Sequence, residues 1–288
     1  MKHFEFTDKT KKLEDGTILH QIRANKNLPM HNVERGDVGG WIEKPENLSD
    51  NAWVSGDAIV SGDAIVSGNA QVFGNAKISG NAIVSENAWV SGYAWLYGNA
   101  IVSGDVWVYG NAWVYGNAWI SGNVEVSGNV IVFGNAKITG KAQVYGNAIV
   151  SGNAEVSENA IVSRNAKIIG KAQVYENAIV SENAWISGNA WISGNAKITG
   201  KAQVYGNAIV SGDAWIYGNA WIYGNTWVSG DAWVSGNAIV SGNAKVYGNA
   251  KIYGDAWVYG KAQISENTIV SGDAKISDNK TITSGEYK

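Results

Sequence analysis

Three histidines, His3, His20 and His31, are the side chains of this 288-residue chain whose ordinary pKa suits proton transfer near neutrality, and all lie at its N-terminal end. Glu34, Asp37 and Glu43 follow close behind, so a histidine–carboxylate pair for general acid–base work has its raw material there. The plainer reading makes His20 a partly buried strand residue and the acids solvated. The chain has no cysteine, which excludes a thiol nucleophile, a disulfide framework and a Cys-ligated zinc site. It has no G-x-x-x-x-G-K-[ST] phosphate loop and no serine elbow with triad partners. Acidic residues further along, such as Asp57, Asp63 and Asp213, stand alone, and the Gly-Gly nonapeptide of calcium-binding β-rolls is absent. No metal or cofactor is therefore expected. Arg35-Gly36-Asp37 matches an adhesion tripeptide, but no secretion signal accompanies it.

Composition narrows the classes further. A formal net charge of -3 excludes a strongly basic nucleic-acid binder. With 45% hydrophobic residues, including 14 Trp and 13 Tyr, the chain is not globally disordered. No stretch approaches the ~18 apolar residues of a membrane span, and Met1 to Gly16 contains no signal-peptide core. These features predict a cytoplasmic location, or a particle assembled there, without nucleic-acid or membrane partners.

The elements that would position any site come from an internal repeat, tested for before local structure is read. From Val54 to Ile282 an aliphatic residue recurs every six residues, 39 times without insertion or deletion. Two residues before it stands Ala in 33 hexads; two after it stands Gly in 31; three after it stands Asn or Asp in 33. Ala and the aliphatic residue share one face of an extended chain, which points inward. Gly-Asn supplies the corner, since both tolerate positive φ. Three such sides close a coil of 18 residues, and coils stacked in parallel about 4.8 Å apart make a rod of about 13 coils, on the order of 60 Å long. Asn at successive corners can form ladders along the axis.

Val54-Ser55-Gly56-Asp57-Ala58-Ile59 resembles the hexapeptide repeat of left-handed parallel β-helix proteins, with Gly displaced by one place. The resemblance implies an all-β, triangular, left-handed solenoid over residues 48–283. The stretch before it looks like the head of YdcK-like proteins: Ile18-Leu19-His20-Gln21-Ile22, then Gly36-Asp37-Val38-Gly39-Gly40-Trp41-Ile42-Glu43 and Asn47-Leu48-Ser49. Such proteins are commonly called transferases, a label that rests on fold analogy. Residues 1–47 are expected to form a cap with a hairpin, from strands at Phe4–Phe6 and Thr17–Ile22 around Glu14-Asp15-Gly16. Lys280 falls at an inward position, where a lone ammonium is costly. The coil is therefore expected to end there and residues 284–288 to form a tail.

The fold's usual enzymes are CoA-dependent acyltransferases, which the resemblance implies need a histidine base at a subunit interface. The coil of this chain has none. The outward position between Ala and the aliphatic residue instead carries 13 Trp and 11 Ile, and the position after the aliphatic carries 11 Tyr. Residues 18 apart should stack, giving aromatic patches of Trp95, Tyr97, Trp113 and Tyr115, of Trp89, Trp107 and Tyr109, and of Trp215, Tyr217 and Trp233. Trp and Tyr are also simply good strand formers, but patches of this size mark interfaces. The partner expected is a second copy, side by side or end to end, with another protein or a carbohydrate as alternatives. Near-copies starting at Asn135, Asn165 and Asn195 are 30 residues apart, five hexads, so each is turned to another face. Duplication indifferent to face suits a scaffold. The reading is a non-enzymatic structural or interaction rod, of prophage type; the alternative is a CoA-dependent acyltransferase with its site at a subunit interface or in the head.

Overall fold

The computed structural model describes residues 2–288. It is an all-β parallel solenoid of about 14 turns with 18 residues per turn and almost no helix. Two compact units, Met1–Lys141 and Ala142–Lys288, divide the chain.

In the first unit each turn gives one short strand to each of three parallel sheets. Face 1 holds Ile59–Val60, Lys77–Ile78, Trp95–Leu96, Trp113–Val114 and Ile131–Val132. Face 2 holds Trp53–Val54, Gln71–Val72, Trp89–Val90, Trp107–Val108 and Glu125–Gly128; face 3 runs from Ile65–Val66 to Lys137–Ile138. Pairing joins each residue to the one 18 ahead, as Trp95 to Trp113. Three backbone bonds per hexad lock that register, for example Trp95 N–H to Ala112 O at 2.8 Å, Tyr97 N–H to Val114 O at 3.0 Å and Asn99 N–H to Gly116 O at 2.7 Å. A slip of one residue would turn the whole aliphatic column outward. The inward Ala and aliphatic side chains are almost all inaccessible, and each buried Val or Ile contributes about 1.5–3 kcal/mol against the entropy of ordering its hexad.

Corners decide how closely turns approach. Gly92 has φ 69°, and a Cβ there would lie 2.7 Å from the carbonyl oxygen of Gly110 in the next turn. Asn side chains bond corner to corner, Asn81 Nδ2 to Asn99 Oδ1 at 3.0 Å and Asn99 Nδ2 to Asn117 Oδ1 at 2.9 Å.

The head is more extended than its sequence suggests. Strands β1 (Phe4–Lys12) and β2 (Ile18–Ala24) form an antiparallel hairpin, and β2 pairs with β3 (Val38–Ile42). β3 then pairs in parallel with Ile59–Val60, so the solenoid begins inside the segment expected to be a cap. Leu48 bridges to Val66, and these contacts help bring the count to about 14 turns rather than 13. Trp53, placed outward by the repeat, is buried beneath the head. Gly39 makes the room: a Cβ there would sit 2.8 Å from the Trp53 indole.

The second unit repeats the arrangement. One sheet runs from Gln143–Gly146 to Ile269–Val270, a second from Ile149–Val150 to Lys275–Ile276, and a third from Glu155–Val156 to Thr281–Ile282. Lys167 and Lys197, equivalent positions of two near-copies, lie in different sheets. Thr281–Ile282, within the solenoid expected over residues 48–283, pairs with Gln263–Ile264, and Glu286–Tyr287, expected as tail, pairs with Ile269–Val270. Lys280 is exposed, because no further turn covers its inward position.

Candidate functional site

Parallel register converts the outward Trp and Tyr positions into ladders. On face 2, Trp89 and Trp107 are stacked at 5.5 Å with an 8° interplanar angle, and Phe73 meets Trp89 edge-on at 6.0 Å. With Tyr109 they border a shallow hollow of about 210 Å³. On face 1, Trp95 and Trp113 meet edge to face at 5.4 Å. Beside them Tyr97, Tyr115 and Phe133 form a parallel stack with spacings of 4.8 and 5.1 Å. In the second unit Trp215 and Trp233 meet at 5.4 Å, with Tyr217 against both. All ten aromatic residues expected from the sequence to form patches thus lie in ladders or beside them within their own units. The six tryptophans among them keep 37–52% of their surface exposed. Such pairs add about 0.5–1.5 kcal/mol beyond burial.

Two features went unrecognised in the sequence. Lys77 Nζ lies 5.7 Å from the Trp95 ring centroid and Lys251 Nζ 5.2 Å from that of Trp233, so ammonium groups cap ladder ends. A second tyrosine stack, Tyr205 on Tyr223 at 5.0 Å, was also missed. Both were readable from the 18-residue spacing. The bond that Tyr109 donates to Glu125 raises its pKa, and burial and the neighbouring Tyr115 raise that of Tyr97. Tyr175 is pushed up by burial and by the bond it donates to Glu155 at 3.0 Å.

The histidines are engaged in structure. His3 Nε2 lies 2.8 Å from the carbonyl oxygen of Ala52, and His31 Nε2 2.8 Å from that of Asn51, so both pin the head to the first turn. Burial lowers both pKa values, partly offset by these carbonyl bonds. His20 stacks on Phe6 at 4.6 Å. Two of the three acids near them are likewise occupied: Glu43 accepts the Gly62 N–H at 2.6 Å, and Asp37 accepts the Glu34 N–H at 2.8 Å. Among the described residues no group of three or more His, Asp or Glu side chains is placed to hold a metal ion.

The YdcK β-solenoid repeat matches residues 52–68, 76–92, 94–110, 142–164, 172–188, 202–218 and 214–230. No curated protein matches the chain. Among solved structures it is similar to a UDP-N-acetylglucosamine acyltransferase from Arabidopsis, at 18% identity and a TM-score of 0.32 over 56% of this chain. The chain spans 64% of the length of that enzyme, less than two thirds. It is also similar to a proposed acetyltransferase from Desulfovibrio desulfuricans G20, at 12% identity and a TM-score of 0.20, over 85% of this chain and 71% of the other. At such scores neither likeness carries an argument about activity. The matched segments, spread through both units, show that parts of this chain are similar to the YdcK β-solenoid repeat.

Proposed function

We propose that the chain is a non-enzymatic structural or interaction element that associates with copies of itself through its aromatic ladders. The observation that carries the reading is the exposure of stacked tryptophans on a regular sheet face, with Trp89 39% and Trp107 52% exposed at a ring spacing of 5.5 Å. Exposed apolar patches on soluble proteins are commonly interaction sites, and aromatic residues are enriched in interface cores. An acyl transfer needs a base within reach of the acceptor hydroxyl or amine. Here every histidine lies in the head, and the Nε2 atoms of His3 and His31 are committed to backbone carbonyls.

Calorimetric titration of the full chain with acetyl-CoA discriminates this reading from a CoA-dependent acyltransferase. The expected result is no saturable heat. Saturable binding, with acetyl transfer to any amine or hydroxyl acceptor, would overturn the non-enzymatic reading.

A further inference from the structure

An open concavity of the first unit lies away from the Trp89–Trp107 ladder. The distal half of the β1–β2 hairpin stands over face 1, and between them is an open cleft of about 870 Å³. That is within the range of small-molecule sites. Its upper wall is Lys11 to Asp15; its floor includes Ile59, Lys77 and Trp95.

One residue in this cleft breaks the repeat in a way no other does. Corner positions three after the aliphatic residue hold Asn, Asp, Lys or a final Gly, except for Tyr93. The substitution interrupts the side-chain ladder between Asn75 and Asn111, while the backbone bond from Tyr93 N–H to Gly110 O at 2.8 Å is kept. Tyr93 gains no packing in return: it is 66% exposed and makes none of the ring contacts that join the other aromatics of this face. A tyrosine that gives up a ladder position to stand at the rim of the cleft fits a ligand rather than the fold.

The charges define that ligand's chemistry. Lys11, Lys12 and Lys77 supply three ammonium donors; Glu14, Asp15 and Asp57 supply three carboxylate acceptors. Formal charge cancels, so neither an anion nor a cation is favoured as a whole. Donors and acceptors interspersed beside aromatic rings suit neutral hydroxyl groups, which both donate and accept, on a molecule with an apolar C–H face to lay against Tyr93 and Trp95. We infer that the cleft between the hairpin and face 1 binds a neutral saccharide, with Tyr93 as its stacking platform and the lysines and carboxylates bonding its hydroxyls.

The test uses the full-length protein and its Tyr93→Asn variant, which restores the repeat's own corner residue. Binding is measured by calorimetry against neutral oligosaccharides of glucose, of galactose and of N-acetylglucosamine, with an oligogalacturonate as the anionic comparison. The expected result is saturable binding of at least one neutral oligosaccharide with a Kd of roughly 1 mM or tighter, weakened at least about tenfold in Tyr93→Asn. The variant's melting temperature should equal or exceed that of the parent. No neutral saccharide binding, binding only of the oligogalacturonate, or unchanged affinity in Tyr93→Asn would each overturn the assignment. Trp89 and Trp107 lie outside the cleft, so failure here leaves association through that ladder standing, and the reverse.

Discussion

His3 and His31 show how a residue's type can mislead about its role. Each is the kind of side chain that performs proton transfer, yet each has its Nε2 on a backbone carbonyl of the first turn. Spacing along the chain shows their nearness to acids but not their burial, which depends on the head folding back over residues 51 and 52. Because burial lowers both pKa values, protonation favours the unfolded chain. Above the ordinary histidine value of about 6.5 both states are neutral and the effect is absent. As pH falls below it, through the lowered folded values, stability is lost. The exposed carboxyls of Asp50 and Asp63 are held below the usual carboxylate range, Asp50 chiefly by the Gly68 N–H and Asp63 by Lys44. Their loss therefore comes only below about pH 4. Thermal melts from about pH 7 to about pH 5 should show a falling melting temperature that flattens in a His3→Gln, His31→Gln double variant. An unchanged slope in that variant would contradict the assignment. Corner glutamates were less legible still. Glu86, Glu158, Glu176, Glu182 and Glu266 replace Gly yet keep positive φ. Two of them recover some of that cost, since Glu176 and Glu182 accept the corner N–H groups of Gly194 and Gly200 in the next turn.

At the scale of the element, the hexad was almost fully legible, because inward Ala and Val and a Gly-Asn corner leave one economical solution. The head was read less well. Phe4–Phe6 suggested a short strand, whereas β1 extends to Lys12, its pairing with β2 slipping between Phe6 and Thr10. The polar run Asp8 to Lys12 carries no alternation to reveal a strand that is mostly solvent-exposed. The head's cover over Trp53 was invisible for the same reason: nothing in the repeat announces a lid. Equivalence of hexads makes a sharp prediction about length. Deleting Asn189–Gly206, one whole turn, joins Gly188 to Asn207 and keeps every later strand on its own sheet, so the variant should fold with circular dichroism like that of the parent. Deleting only Asn189–Ile192 puts later aliphatic residues out of phase and should leave the following turns unfolded and protease-sensitive. Equal protease resistance of the two variants would contradict a register set by the hexad.

For the whole molecule, the fold and the kind of repeat were both readable from the sequence, while the activity of related folds does not transfer with them. What distinguishes this chain is where its chemistry stands: histidines tied into the head, and tryptophans exposed in ladders in both units. Gln serves at the same outward position at Gln71, Gln173 and Gln203. That substitution also supplies the most direct test. Sedimentation equilibrium of the full chain over about a hundredfold range of concentration should give a mass above the 30.7 kDa of one chain, rising with concentration. The quadruple variant Trp89→Gln, Trp107→Gln, Trp215→Gln, Trp233→Gln should stay at 30.7 kDa throughout. A parent chain that remains at 30.7 kDa at every concentration, or a variant that associates as the parent does, would contradict the proposed role of the ladders.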